Sequence, residues 1–345
     1  MRIWDWLLDC ITGQSGNLPK GGSTVATLEP PLSGEPPAPD ETEPTWWAPE
    51  GARLTEPEFI PRPELSTEAR ALENLLISHF DGHNLDLPPL ARVPERVLQY
   101  LRDRDCDFGR IAECIAEDQV IAAAVMRMAN SPLYRGLERI ASLRLAIARL
   151  GTKALQALMF NQSLRVATGG RKGPARMLAE IIWKRSLASA TIMRGLSGFV
   201  PTDGEEAFLL GLLHDIGNVI VLREARKQRR YLDFELDIET FEYLCFECHQ
   251  EFGELIAKAW SLPAKLQTLV TDHHRYPEPD DALRTERLLL QITDMACALL
   301  GYSPPAPYDL LSARAVRDLN LATHGDFLMF LCRLPSEVED TIACM

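Results

Sequence analysis

The residues best suited to chemistry lie in Glu205–Leu222, EEAFLLGLLHDIGNVIVL, where His214 and Asp215 interrupt an otherwise apolar, helix-like run. Adjacent ionisable groups in such surroundings cost free energy unless they are paired or bound. The pair is therefore a metal site, the remnant of one, or an internal hydrogen-bonded strut. A second pattern, Cys245-Phe246-Glu247-Cys248-His249, is a C-x-x-C-H haem-attachment sequence. Covalent haem attachment normally follows export, and the sequence shows no export signal. A zinc site on Cys245, Cys248 and His249 would need a fourth ligand, so two buried thiols acting as small apolar groups is the preferred account. Gly169-Gly170-Arg171-Lys172-Gly173 is basic and glycine-rich, but it joins two helical runs and reads as a connector. No Walker loop, dinucleotide fingerprint or G-x-S-x-G elbow is present.

The elements around these residues are helical from Ser66 onward. Ala69, Leu72, Leu76 and Phe80 repeat at helical spacing. Leu87-Pro88-Pro89-Leu90 breaks the run, and Val93, Val97, Leu98 and Leu101 begin the next. Asp107 reads as the N-cap of a helix with Ile111, Cys114 and Ile115. Asp118 opens a helix with Ile121, Val125 and Met128 that stops at Asn130-Ser131-Pro132. Leu98, Leu101, Ile111, Ile115, Val125 and Met128 are expected to share one core. Ser142 is expected to cap LRLAIARL, with Gly151 as its C′ residue. Further helices are predicted near 152–167, 175–196, 204–224, 238–259, 263–274 and 282–300, and shorter ones near 309–317 and 323–332. Strand alternation is absent over any useful length, which predicts an all-α array.

Composition narrows the classes. The net charge is −13, and residues 1–63 carry ten acids and four bases. Such a balance argues against a general nucleic-acid binder or an anionic-membrane binder. Lys227, Arg229 and Arg230 read as a solvated helix end. Eight scattered cysteines are no disulfide framework. No apolar run is long enough to span a bilayer, and Asp5 and Asp9 spoil the N-terminus as a signal peptide. A cytoplasmic location is therefore expected. Eleven prolines between Pro19 and Pro63 predict a disordered arm over 1–63. Residues 1–13 read as a short amphipathic helix, either a weakly ordered terminus or a docking peptide for a partner or a membrane surface, and Trp46-Trp47 as aromatics that fold back on the body or serve as a recognition spot. The rest divides into 64–300, itself in parts 64–168 and 174–300, and a helical extension over 301–345.

Several pieces, in order, resemble the HDOD family, the HD-related output domains of bacterial signalling proteins. The resemblance covers roughly Leu87 to Leu300. Its pieces are Leu87-Pro88-Pro89-Leu90, then Asp118 through Asn130-Ser131-Pro132-Leu133-Tyr134, with Gln119 in place of the usual proline. Ser142-Leu143, Ala146-Ile147 and Leu150-Gly151 follow, then Trp183, Ser186 and Ala190. Gly211-Leu212-Leu213-His214-Asp215-Ile216-Gly217, Phe252-Gly253, Trp260, Leu262-Pro263 and His273-His274 complete it. The resemblance implies an N-terminal helical subdomain packed on a half related to the HD metal-dependent phosphohydrolases. It also implies a mostly non-catalytic role in signalling.

A working HD site resembles H…HD…D, in which imidazoles and carboxylates hold a divalent ion that activates water on a phosphoester. By that resemblance His214 and Asp215 fill the HD position and Asp294 the last. His249, His273 and His274 match further ligands of two-metal relatives that cleave cyclic dinucleotides. Arg185 stands where the first histidine should be, and a guanidinium donates no lone pair. Asn218 stands where HD-G-Y-P relatives carry lysine, and Arg275-Tyr276-Pro277 lacks their glycine. The site is thus read as degenerate: Arg185 is expected to pair with Asp215, and no metal, cofactor or catalysis is expected. If a metal is held, its ligands come from His214, Asp215, His249, His273, His274 and Asp294. His79, His83 and His324 are given no role. The expected function is a non-catalytic regulatory module acting on an unidentified signalling protein. The rival readings are a metal-dependent phosphohydrolase and a nucleotide-binding sensor.

Overall fold

The computed structural model describes residues 62–80, 85–103, 106–134, 136, 138–169, 174–229, 236–304 and 309–345, all within the unit Glu50–Met345. The expected arm up to residue 61, including 1–13 and Trp46-Trp47, lies outside them, as does His83. The described residues form α-helices and short 3-10 turns, with no strand among them.

The first five helices are α1 (Thr67–Phe80), α2 (Arg92–Arg102), α3 (Phe108–Ala116), α4 (Gln119–Ala129) and α5 (Leu143–Thr168). Asp107 caps α3 by accepting from the Gly109 N–H at 2.7 Å, and Asp118 caps α4 through the Val120 and Ile121 N–H groups. Ser142 makes no side-chain cap, contrary to expectation. At Gly151 the backbone turns to φ 72°, ψ 177°, so α5 is two helical segments meeting at a kink. That conformation is open to glycine and strained for other residues.

Leu98, Ile111, Ile115, Val125 and Met128 are buried together, while Leu101 lies at the core's edge. Leu98 is 3% exposed, so Leu98→Ala should cost about 2–5 kcal/mol of stability. Urea denaturation checks this, and an unchanged midpoint would mean that α2 carries none of this core.

The second group comprises α6 (Pro174–Leu196), α7 (Gly204–Leu213), α8 (Asn218–Arg229), α9 (Ile238–Ala259), α10 (Ala264–Asp272) and α11 (Arg284–Leu299). α5 packs against both groups, touching α2, α3 and α4 on one side and α6, α7 and α8 on the other. α1 precedes the first group in sequence but packs on α8 and α9. There Tyr243 donates to Glu73 at 2.9 Å and Phe80 meets Phe252 with ring centroids 5.2 Å apart. The Trp260 indole donates to the Pro88 carbonyl at 2.7 Å, fastening the proline break to the second group.

The extension holds α12 (Arg314–Asp318) and α13 (Gly325–Cys344). α13 runs twelve residues past the predicted end at 332, straight through Pro335. A proline inside a helix removes a hydrogen bond and crowds the preceding turn. Burial of Phe330, Leu331, Leu334 and Val338, in a helix that packs on α6, offsets that cost.

Candidate metal centre

The chain bends where sequence periodicity predicted one helix over 204–224. α7 ends at Leu213, His214–Gly217 form a turn, and α8 starts at Asn218. Backbone bonds tighten to i→i−3 here: the N–H groups of Ile216, Asn218 and Ile220 donate to the carbonyls of Leu213, Asp215 and Gly217 at 3.0, 3.1 and 2.9 Å. Gly217 shows why. A Cβ at this position would lie 1.9 Å from the His249 carbonyl oxygen and 2.7 Å from the Gly253 nitrogen. Only glycine lets the turn press against the backbone of α9, and this contact sets Asp215 beside His249. Gly211 allows a similar approach of α7 to α6, where a Cβ would meet the Ser189 carbonyl oxygen at 2.5 Å.

Gly217→Ala has no flexible side chain to displace, so the two backbones must part. The substitution should cost at least about 1–3 kcal/mol and weaken whatever Asp215 and His249 hold jointly. Chemical denaturation checks the first effect, and wild-type stability would contradict the close approach.

Four imidazoles and two carboxylates meet at this turn. His214 and Asp215 come from the turn, His249 from α9, His273 and His274 from the end of α10, and Asp294 from α11. His214, His249 and His273 are 1%, 4% and 0% exposed. The Nδ1 atoms of these three lie on backbone carbonyls: His214 on Gly211 at 2.9 Å, His249 on Cys245 and Phe246 at 3.0 Å each, His273 on Val270 at 3.3 Å. A carbonyl only accepts, so Nδ1 carries the proton and Nε2 is left to bind. All three Nε2 atoms surround Asp215 Oδ1, at 3.5 Å for His214, 3.7 Å for His249 and 3.5 Å for His273.

The outer atoms complete the cluster. His214 Nε2 is 3.3 Å from Asp294 Oδ1, and His274 Nδ1 is 3.9 Å from Asp294 Oδ2. His249 Nε2 is 3.2 Å from His273 Nε2 and 2.9 Å from His274 Nε2. Buried His214 Nε2, His274 Nδ1 and Asp294 Oδ2 have no hydrogen-bond partner among the described residues. Such orphans are costly unless something binds them. The ligand atoms of His249, His273 and His274 lie within 4.8 Å of one another, as do those of His214, His273 and Asp294. Imidazoles held through Nδ1, with carboxylates beside them, fit a divalent ion of the zinc or manganese kind. The side chains of Asp215, Asp294 and His274 are 17%, 21% and 23% exposed and form the only partly open face of the six.

Charge is distributed to match. Burial alone would lower the His214 pKa, but Asp215 and then Asp294 outweigh it and raise it to about 9. Burial would raise Asp215, yet His214, His273 and His249 hold it well below the usual carboxylate range. Burial lowers His249 to about 4, with Asp215 opposing and His273 reinforcing the shift. Burial, then His273 and His249, hold His274 well below the ordinary imidazole value. Without an ion, His214 therefore carries the positive charge that the two carboxylates demand.

Arg185 does not pair with Asp215 as predicted. Its Nη2 meets Glu242 Oε1 at 2.5 Å and its Nε donates to the Tyr302 carbonyl at 2.9 Å, with both side chains 9% exposed. Burial works against its charge, but Glu242 outweighs this and Asp215 adds to it, so the guanidinium is held cationic. The reason is α9: Glu242 lies about two turns before His249 on that helix and reaches Arg185 first. The cation that stands where a ligand histidine was expected is thus neutralised by Glu242, not by Asp215.

Arg287 was missed too. It is 2% exposed, donates to the Asp272 carbonyl at 2.7 Å and to Asp272 Oδ1 at 2.5 Å, and reaches Asp281 at 3.0 Å. It ties α11, which bears Asp294, to the residue just before His273. A charged residue opening Arg287-Leu288-Leu289-Leu290 is the signal that could have found it. The cysteines of C-x-x-C-H take no part in either ligand group. Cys245 sits by Glu242 and Arg185, and Cys248 by Glu251 and Glu247, so the two thiols face different surroundings.

Comparison with known proteins agrees with this architecture. The structure resembles that of a protein from Shewanella amazonensis SB2B, named as a candidate metal-dependent phosphohydrolase, with TM-score 0.63 and 18% identity over 79% of this chain and 100% of that one. It also resembles an HDOD domain protein from Geobacter sulfurreducens, with TM-score 0.58 and 23% identity over 80% and 97% of the two chains. At these identities the likeness is one of fold. An uncharacterized protein of Treponema pallidum (strain Nichols) is 21% identical over 267 residues, covering 72% of this chain and 49% of its own, so this chain spans about half the length of that curated relative. The HDOD domain profile matches residues 87–276, more than half of the 345 residues, and the chain belongs to the HDOD family.

Proposed function

We propose that this chain is a cytoplasmic regulatory module of bacterial signalling that holds a divalent metal in the His/Asp cluster and acts on a protein partner without hydrolysing a substrate. The convergence of three Nε2 atoms, each freed by an Nδ1 bond to a backbone carbonyl, on Asp215 carries the metal part of this reading. His214, His273 and Asp294 would form one ligand group, with His249 and His274 beside it. A bound ion supplies Lewis acidity and, in hydrolytic relatives of this chemistry, an activated water. The regulatory part rests on family membership, on Arg185 in place of a ligand histidine and on Asn218 in place of a lysine. Among the described residues, no helix is long and apolar enough to cross a membrane.

A metal must displace the proton on His214. Its pKa of about 9 lies above neutrality, so metal affinity should rise as pH increases toward that value.

The second reading, a phosphohydrolase, is favoured by the partial exposure of Asp215, Asp294 and His274, which leaves one face of the cluster open. The test is turnover of bis(p-nitrophenyl) phosphate and p-nitrophenyl phosphate by zinc- or manganese-loaded protein. The regulatory reading expects no turnover beyond that of the free ion. Turnover abolished by Asp215→Asn would replace it with the phosphohydrolase.

A further inference from the structure

A cleft of about 770 Å³ opens where α4, residues 130–132 and 139–141 and the last turn of α13 meet. Its volume falls in the range of small-molecule sites. None of its lining residues belongs to the His/Asp cluster. Met126, Pro132, Ile140 and Ala343 give it apolar walls, and Arg127 and Arg139 supply two positive charges. On a chain of net charge −13, two arginines line this one cleft.

The polar groups of the wall are already committed. Asn130 donates to the carbonyls of Met126 and Ile140 and accepts from the Ile140 N–H, at 2.9 to 3.0 Å. Ser131 donates to the Met128 carbonyl at 2.8 Å. Asn130 and Ser131 thus hold the loop in shape. The arginines are not used up in this way. Arg127 donates through Nε to the Cys344 carbonyl at 3.3 Å, which ties it to the end of α13 and, among the described residues, leaves both Nη groups without a hydrogen bond. Arg139 is exposed and forms no hydrogen bond or ion pair among the described residues. Arg165 donates to the Met345 carbonyl at 2.8 Å nearby, and the charge of Arg127 is felt at its guanidinium. Asp340 is felt at the Cys344 thiol along with Arg127, so part of the positive field is offset at one rim.

We infer that this cleft binds a small organic phosphate, its apolar body against Met126, Pro132 and Ile140 and its phosphate between Arg127 and Arg139. Planar guanidinium donors match phosphate oxygens in geometry and charge. The apolar walls would add affinity that a bare anion lacks, and the arginines affinity that an uncharged ring lacks. Because the wall includes both α4 and α13, the ligand would link the first helical group to the C-terminal extension.

The test uses full-length protein stripped of metal with EDTA, so that the His/Asp cluster holds no ion that could attract phosphate. The probe is 1-naphthyl phosphate, followed by its fluorescence, with 1-naphthol and inorganic phosphate as partial ligands. The expected result is saturable one-to-one binding of 1-naphthyl phosphate, with each partial ligand weaker by about tenfold or more. Arg139→Gln removes a side chain that holds nothing else together, and should weaken binding by about tenfold with an unchanged circular dichroism spectrum. Ala141→Trp, which fills the cleft from the loop, should abolish it. Absence of saturable binding, equal binding of 1-naphthol or inorganic phosphate, or undiminished binding by both variants would overturn the inference.

Discussion

Glu242→Ala should destabilise the protein by about 3–5 kcal/mol. Arg185 and Glu242 are each 9% exposed at the side chain, and the pair is closed at 2.5 Å. Removing the acid leaves a guanidinium buried with only the Tyr302 carbonyl on its Nε and the more remote field of Asp215. The double variant Arg185→Met/Glu242→Leu separates the penalty of an orphaned charge from the worth of the pair. Burying two charges is itself expensive, so their joint replacement by apolar groups of similar size should restore most of the loss. Urea denaturation of wild type, Glu242→Ala and the double variant compares the two losses. A Glu242→Ala protein as stable as wild type would mean that Arg185 finds another partner, Asp215 being the other acid whose charge acts on it. The same geometry bears on Arg185→His, which would place an imidazole where HD sites carry their first ligand. That substitution would leave Glu242 without its cation, so a stability loss should accompany any gain in metal binding.

His273→Ala should lower divalent-metal affinity by about 100-fold or more. Even an outer-shell partner typically contributes 10–100-fold, and His273 belongs to both ligand groups. It is fully buried and forms ring contacts with His214, His249 and His274, with centroids 5.1, 5.1 and 4.1 Å away. His274→Ala, at the partly open edge, removes a member of one group only and should have a smaller effect. Competition of each variant with a chromophoric chelator ranks them. Equal losses for the two would contradict the central place of His273.

How much of this was legible in the sequence differs from part to part. The helical array followed from apolar spacing, and the caps at Asp107 and Asp118 from side chains whose short reach leaves them few other uses at those positions. The bend at His214–Gly217 was not legible, because Leu212, Leu213, Ile216 and Val219 keep helical spacing across it. What breaks the helix is a backbone contact with His249, about thirty residues away in sequence. The extent of α13 was hidden by Pro335, since the penalty of a proline is local and the packing that offsets it is not. His214 and Asp215 could be named because ionisable groups inside an apolar run are costly to bury, whereas His249, His273, His274 and Asp294 were named through the family resemblance. Their grouping could not be named from composition, and the partner of Arg185 was assigned to the wrong acid. Asp215 was the conspicuous carboxylate, whereas Glu242 lies in Phe241-Glu242-Tyr243, a stretch that reads as an ordinary helix face. Only the rotation of α9 relative to α6 reveals which acid Arg185 meets.

The central claim is that the cluster holds a metal, and calorimetric titration of chelator-stripped wild-type protein with zinc and with manganese tests it most directly. The account predicts saturable binding of about one ion per chain, with proton release on binding, and loss of that binding in His273→Ala. Wild-type protein that retains its helical fold yet takes up neither ion would contradict it, and would leave the four imidazoles and two carboxylates as an internal strut with His214 as its cation.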